Sequence, residues 1–113
     1  MSIAAFRVER SDGAVTVHVE GQVDLSSAED LSTAVHRAIT SSAPAPERVW
    51  VDLTNVAFFD SAGINALFAL NHELQADARS LGVIAPEGTP PRLVLDIVQL
   101  GRLMPLAETS PPH

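Results

Sequence analysis

The sequence predicts an α/β domain: a mixed sheet of about four strands, an N-terminal hairpin followed by parallel strands, with helices after strands 2, 3 and 4. Three observations carry this reading. Phe6 and Val8, then Val15, Val17 and Val19, alternate with polar residues on either side of a Ser-Asp-Gly turn. Arg48 to Leu53, RVWVDL, is almost continuously apolar, as a strand covered on both faces should be. Apolar residues at helical spacing follow each of the later strand candidates.

Alternation over 6–8 and 15–19 puts one apolar face on an antiparallel pair. Gly21 to Leu25 then reads as a loop. Ser26-Ser27-Ala28-Glu29-Asp30 resembles a capping box, in which a serine oxygen accepts an early helix amide. Ala28, Leu31, Val35, Ala38 and Ile39 form the apolar stripe of the helix that follows, and His36 falls on its solvent face.

Ser41 to Pro46, with two prolines, cannot continue a helix and forms a surface connection. Within the central strand Trp50 packs as a hydrophobe. Ile64, Leu67, Phe68, Leu70, Leu74 and Ala78 predict a second helix running to about Ser80. Gly82 to Ala85 is a short strand ended by Pro86. Thr89 before Pro90 and Pro91 opens a third helix, because proline is tolerated where no amide donor is required. Leu93, Val94, Ile97, Val98 and Leu100 continue it, and Gly101 closes it. Residues 1–104 make the domain, and 105–113, polar and proline-rich, read as a disordered tail.

A chain of 113 residues has room for one domain that buries roughly two-thirds of its unfolded surface. No apolar run reaches the ~18 to 20 residues of a membrane span, so no membrane insertion is expected. The opening MSIAAFRVERS lacks the layout of a secretory signal, and the expected location is cytoplasmic. Cysteine is absent, which excludes disulfides, thiolate catalysis and cysteine-bound zinc. The four histidines are scattered without ligand spacing, so neither a metal nor an intrinsic cofactor is expected. Net charge is −7 and all seven basic residues are dispersed arginines, which leaves no basic patch for DNA or RNA.

The chemistry-bearing stretch is Phe58-Phe59-Asp60-Ser61-Ala62-Gly63. Ligands and partners of parallel sheets meet the carboxyl ends of strands, and if the strands are neighbours Asp24, Asp60 and Ser61 share one such end. A hydrolase nucleophile would need G-x-S-x-G, but residue 59 is phenylalanine. It would also need a base, and His72, eleven residues along the same helix, lies roughly 16 Å away at 1.5 Å per residue. Ser61 or Asp60 can instead serve as an N-cap, worth about 1 kcal/mol. That leaves Ala62-Gly63 unexplained, since glycine weakens a helix by about 1 kcal/mol yet opens the backbone to close approach. Alternatively Ser61 is a phosphoacceptor, held against free amides at the positive end of the helix dipole.

Gly21-Gln22-Val23-Asp24, Val49-Trp50-Val51-Asp52-Leu53, Phe59-Asp60-Ser61-Ala62-Gly63-Ile64 and the closing Leu100-Gly101 together resemble a STAS domain, over roughly residues 4 to 104. The resemblance to stand-alone anti-sigma-factor antagonists implies a non-enzymatic switch. The unphosphorylated form binds an anti-sigma factor that is also a GHKL-type serine kinase and frees a sigma factor; phosphorylation of Ser61 blocks binding until a serine phosphatase resets it. It implies a partner face of Asp24, Asp60, Ser61, Ala62, Gly63 and Asn65, with Asp24 exposed to the kinase. Ala62 stands where many antagonists carry a second Ser or Thr. The same turn also resembles STAS accessory subunits that brace the ATPase of lipid-transport ABC complexes, which is the alternative role.

Overall fold

The computed structural model describes residues 4–109. Its five-stranded sheet has the order β1-β2-β3-β4-β5: β1 (Ala4–Ser11), β2 (Ala14–Val23), β3 (Arg48–Phe59), β4 (Ser80–Ile84) and β5 (Leu106–Ala107). β1 and β2 are antiparallel, and every later pairing is parallel. The helices are α1 (Ala28–Thr40), α2 (Ser61–Ala76) and α3 (Pro90–Ile97), with a 3₁₀ turn at Leu100–Arg102.

The register explains the core. Val15 pairs with Val49 and Val17 with Val51, and Val49 and Val51 pair onward with Leu81 and Val83, so one sheet face is a continuous apolar row. Leu31, Val35 and Ala38 of α1 and Leu67, Leu70 and Leu74 of α2 are buried in the same cluster. His36 is on the surface as expected, with Nε2 2.7 Å from Glu73 Oε2 of α2. Trp50 is half-buried, and its ring lies over Gly82, where an added Cβ would sit 2.6 Å from Cζ3. Only glycine leaves room for that ring.

Several boundaries differ from the sequence reading. The sheet has five strands rather than four, because Leu106–Ala107, in the stretch read as a disordered tail, pairs with β4; Val83 N donates to Pro105 O and Ala85 N to Ala107 O. Residues 110–113 of that stretch lie outside the described residues. β2 runs on to Val23 where a loop was expected, and β3 continues six residues past Leu53 because β2 stays alongside it. α2 ends at Ala76, and Ala78 adopts a left-handed φ of 59° that turns the chain into β4. In α3 it is Pro91 and Leu95 that are buried, while Leu93 and Ile97 are 60% and 80% exposed, so the buried stripe is narrower than the apolar pattern. Gly101 lies inside the 3₁₀ turn and does not close α3.

The length of β3 depends on two bulges. Opposite β2 the register slips between His18 and Glu20 and again between Gly21 and Gln22, so β3 carries an extra residue at each place. Asp52 pins the first: its Oδ1 accepts the amide and the hydroxyl of Thr54, and its Oδ2 lies 2.7 Å from His18 Nδ1. His18 Nε2 in turn sits 2.8 Å from Glu9 Oε1, which ties β1, β2 and β3 together. Burial alone would raise the Asp52 carboxyl, but the hydrogen bonds from Thr54 and the contact with His18 outweigh it and hold its pKa below the usual carboxylate value.

Candidate functional site

Because β2 and β3 are neighbours and end level, with Val23 opposite Phe59, the loops that leave them are adjacent. Asp60 N donates to Val23 O at 3.3 Å, directly before Asp24. Asp24, Asp60 and Ser61 therefore do share the carboxyl end of the parallel strands.

Asp60, not Ser61, is the N-cap of α2. Its backbone is extended (φ −123°, ψ −167°) and its Oδ1 accepts the Ala62 amide at 2.9 Å. Ile64 N donates to Asp60 O at 3.2 Å, which closes the first turn. Ser61 is the first helical residue, exposed, and its hydroxyl has no hydrogen-bond partner among the described residues. The amides of Ser61 and Gly63 likewise meet no acceptor there, as the orphan donors of a helix start do. Asn65, one turn on, is exposed on the same side of α2 as Ser61; Ala62 is half-buried.

Gly63 is buried, and a Cβ there would lie 2.6 Å from Phe59 Cε1. Its small size thus serves the packing of the Phe59 ring under the helix start.

The loop after β2 is more ordered than a capping box would make it. Ser27 is 2% exposed; its Oγ donates to Gln22 O at 2.8 Å and accepts the Asp24 amide at 3.0 Å. Although it occupies the N-cap position of α1, it makes no side-chain cap bond. Asp24 is half-buried, and its Oδ1 accepts the amide and hydroxyl of Ser26 at 3.0 and 2.7 Å, with Ser27 Oγ at 3.3 Å. Asp24 was expected as an exposed loop carboxylate; it also organises its own loop. Local side-chain bonding of this kind is a frequent use of Asp and Ser between elements.

Two apolar residues flank the acidic pair. Leu25 is 86% exposed and Phe58 47% exposed. Sequence periodicity did not single them out, because apolar residues next to a strand read as core; the signal was that Leu25 directly follows Asp24 and Phe58 lies two residues before Asp60. The site therefore combines a solvent-facing hydroxyl, two carboxylates and an apolar rim, which suits contact with another protein.

Among the described residues no histidine stands beside Ser61 as a base. His18 is engaged by Asp52 and Glu9, His36 by Glu73, and His72 is exposed further along α2. Among the described residues no group of three or more His, Cys, Asp or Glu is placed to hold a metal ion. Nor is any described helix long and apolar enough to cross a membrane.

The family model of the STAS domain matches residues 5–111. The crystal structure of an anti-sigma factor antagonist from Mycobacterium paratuberculosis is similar at TM-score 0.81 and 29% identity, over 95% of this chain and 87% of that one. The anti-sigma factor antagonist SpoIIAA in its unphosphorylated form matches at TM-score 0.70 and 25% identity, over 91% and 88%. The Bacillus cell fate determinant SpoIIAA in its phosphorylated form matches at TM-score 0.62 and 25% identity, over 91% of each chain. No curated protein sequence matches significantly.

Proposed function

Since this chain belongs to the STAS domain family, we propose that it is an anti-sigma-factor antagonist that acts by partner switching. The unphosphorylated domain binds an anti-sigma factor that is also a GHKL-type serine kinase, and a sigma factor is released. The kinase transfers the γ-phosphoryl group of ATP to Ser61 Oγ, ADP leaves, and the domain no longer binds. A serine phosphatase hydrolyses the ester and restores the first state. The domain catalyses no step itself and works in the cytoplasm.

One observation carries this reading: Asp60 takes the capping role, so the Ser61 hydroxyl is exposed at the helix start with no structural bond to lose. Phosphorylation adds about −1.5 to −2 charge at neutral pH. The unpaired amides of Ser61 and Gly63 and the positive helix end favour that charge, so the modified domain stays folded. On the partner's side the same charge, next to Asp60 and the apolar Leu25 and Phe58, opposes desolvation of the contact face. Asp24, Asp60, Ser61, Ala62, Gly63 and Asn65 form that face together with Leu25 and Phe58. Similarity to SpoIIAA in both its phosphorylated and unphosphorylated forms supports a switch of this type.

The test is intact mass and peptide mapping of the full chain after incubation with a candidate GHKL-type kinase and ATP. Gain of one phosphate on Ser61, with loss of the complex in gel filtration, is the expected result. A phosphate on Thr54 or Ser80, or none with any candidate kinase, overturns the switch. Copurification with an ABC-transporter ATPase instead would support the accessory-subunit role.

A further inference from the structure

β1 is an edge of the sheet, and among the described residues no strand pairs with its outer side. Ser11 pairs with Ala14 around the two-residue turn Asp12-Gly13, so this closing pair exchanges both of its hydrogen bonds. Hydrogen-bonded and non-bonded pairs alternate from there. Ala5, Arg7 and Glu9 direct their amides and carbonyls at β2, while those of Phe6, Val8 and Arg10 point away, and no described group receives them.

Charged residues on an edge can serve simply to repel other strands. The charges on β1 have a different property, which follows from its register with itself. Two identical antiparallel strands meet about a residue on the two-fold axis. Centring on Arg7 sets Arg7 against Arg7, and centring on Glu9 sets Glu9 against Glu9. Centring on Val8 sets Arg7 against Glu9 twice, pairs Phe6 with Arg10, joins the outward-facing backbone groups and overlaps the strand from Ala5 to Ser11. We propose that two copies of this chain pair β1 to β1 in this register and form one continuous ten-stranded sheet.

The layer above the sheet agrees. Between β1 and α1 lies an apolar groove of about 400 Å³ lined by Phe6, Val8, Asp30, Thr33, Ala34 and Arg37. The axis through Val8, perpendicular to the sheet, sets α1 antiparallel to α1 of the second copy and closes the two grooves on each other. Asp30 and Arg37 are seven residues apart on α1, so Asp30 of one copy faces Arg37 of the other. Neither has an ion-pair partner among the described residues. The Ser61 sites lie at opposite ends of the joined sheet and both remain open to partners, so the dimer does not depend on the switch.

Sedimentation velocity of the full chain over a wide concentration range tests the proposal. A concentration-dependent dimer, weakened by added salt, is expected. Asp30→Arg and Arg37→Asp each replace an attraction by a repulsion and should raise the dimer dissociation constant about tenfold or more, while the double reversal restores it. Val8→Pro blocks the strand pairing at the axis without removing a bond to β2, and should leave a monomer; circular dichroism checks that it is folded. A chain that stays monomeric to millimolar concentration, or a dimer indifferent to all three single changes, overturns the proposal.

Discussion

Asp60 Oδ1 accepts the amide of Ala62 at 2.9 Å, and this one bond separates the residue that starts α2 from the residue that faces solvent. Had Ser61 been the cap, every change at its hydroxyl would alter stability and binding together. With Asp60 as the cap the two effects divide between neighbours.

Asp60→Ala should therefore lose about 1 kcal/mol of stability, the usual worth of an N-cap. Ser61→Ala should change it by less than about 0.5 kcal/mol, as exposed positions do. Urea unfolding of both variants with equal slopes is the measurement. A larger loss at Ser61 than at Asp60 would return the capping role to the serine.

Ser61→Asp tests binding apart from folding. The variant keeps a helix-compatible anion at the positive end of α2, so its melting temperature should match or slightly exceed that of the wild type. Binding to the anti-sigma partner should fall at least about tenfold, since a fixed charge then stands on the contact face next to Asp60. Ser61→Ala should bind like the wild type but accept no phosphate. Equal affinity of both variants would mean that charge at residue 61 does not control the contact.

Gly63→Ala should destabilise although alanine is the better helix former. Its Cβ would fall 2.6 Å from the Phe59 ring, and Phe59 is itself only 4% exposed, so the ring has nowhere to move. Overpacking of about 1–3 kcal/mol exceeds the propensity gain of about 1 kcal/mol. In a double-mutant cycle with Phe59→Leu the loss should be less than additive, because the smaller side chain vacates the space. Additive losses would show that the glycine is needed for something other than this ring.

How much of this was legible beforehand varies with the kind of force involved. The apolar row from Val15 to Val83 was readable because burial on a sheet face imposes period two, and period survives in a single sequence. The adjacency of Asp24 and Ser61 was readable only conditionally, since it depends on which strands pair. The orientation of Ser27 was not readable, because a serine ahead of a helix can turn its oxygen to the helix amides or back to Gln22 O, and the choice is made by tertiary contacts. The same holds for the phase of α3. Its apolar residues exceed what the sheet can cover, and packing alone decides that Leu95 is buried and Ile97 exposed. Leu106–Ala107 escaped notice because a two-residue strand has no period to detect.

The Asp52 cluster contributes to the stability of the domain against acid. Its carboxyl is held below the usual value in the folded chain, so folding is favoured by the ionised form. The sign follows from linkage: the contribution is complete above the unfolded pKa, near 3.9, and is lost as pH falls through the lower folded value. Asp52→Asn cannot titrate but keeps an oxygen for the Thr54 amide, so it should lower stability at neutral pH and flatten the stability curve below about pH 4. Chemical denaturation at several pH values would resolve the difference between the two curves. Because Asp52 pins the bulge that sends β3 on to Phe59, the same acid loss should loosen the turn at Asp60, and hydrogen exchange at the Ala62 amide should accelerate in Asp52→Asn relative to that of Val51. Equal protection of Ala62 in both proteins would show that the bulge and the helix start are mechanically independent.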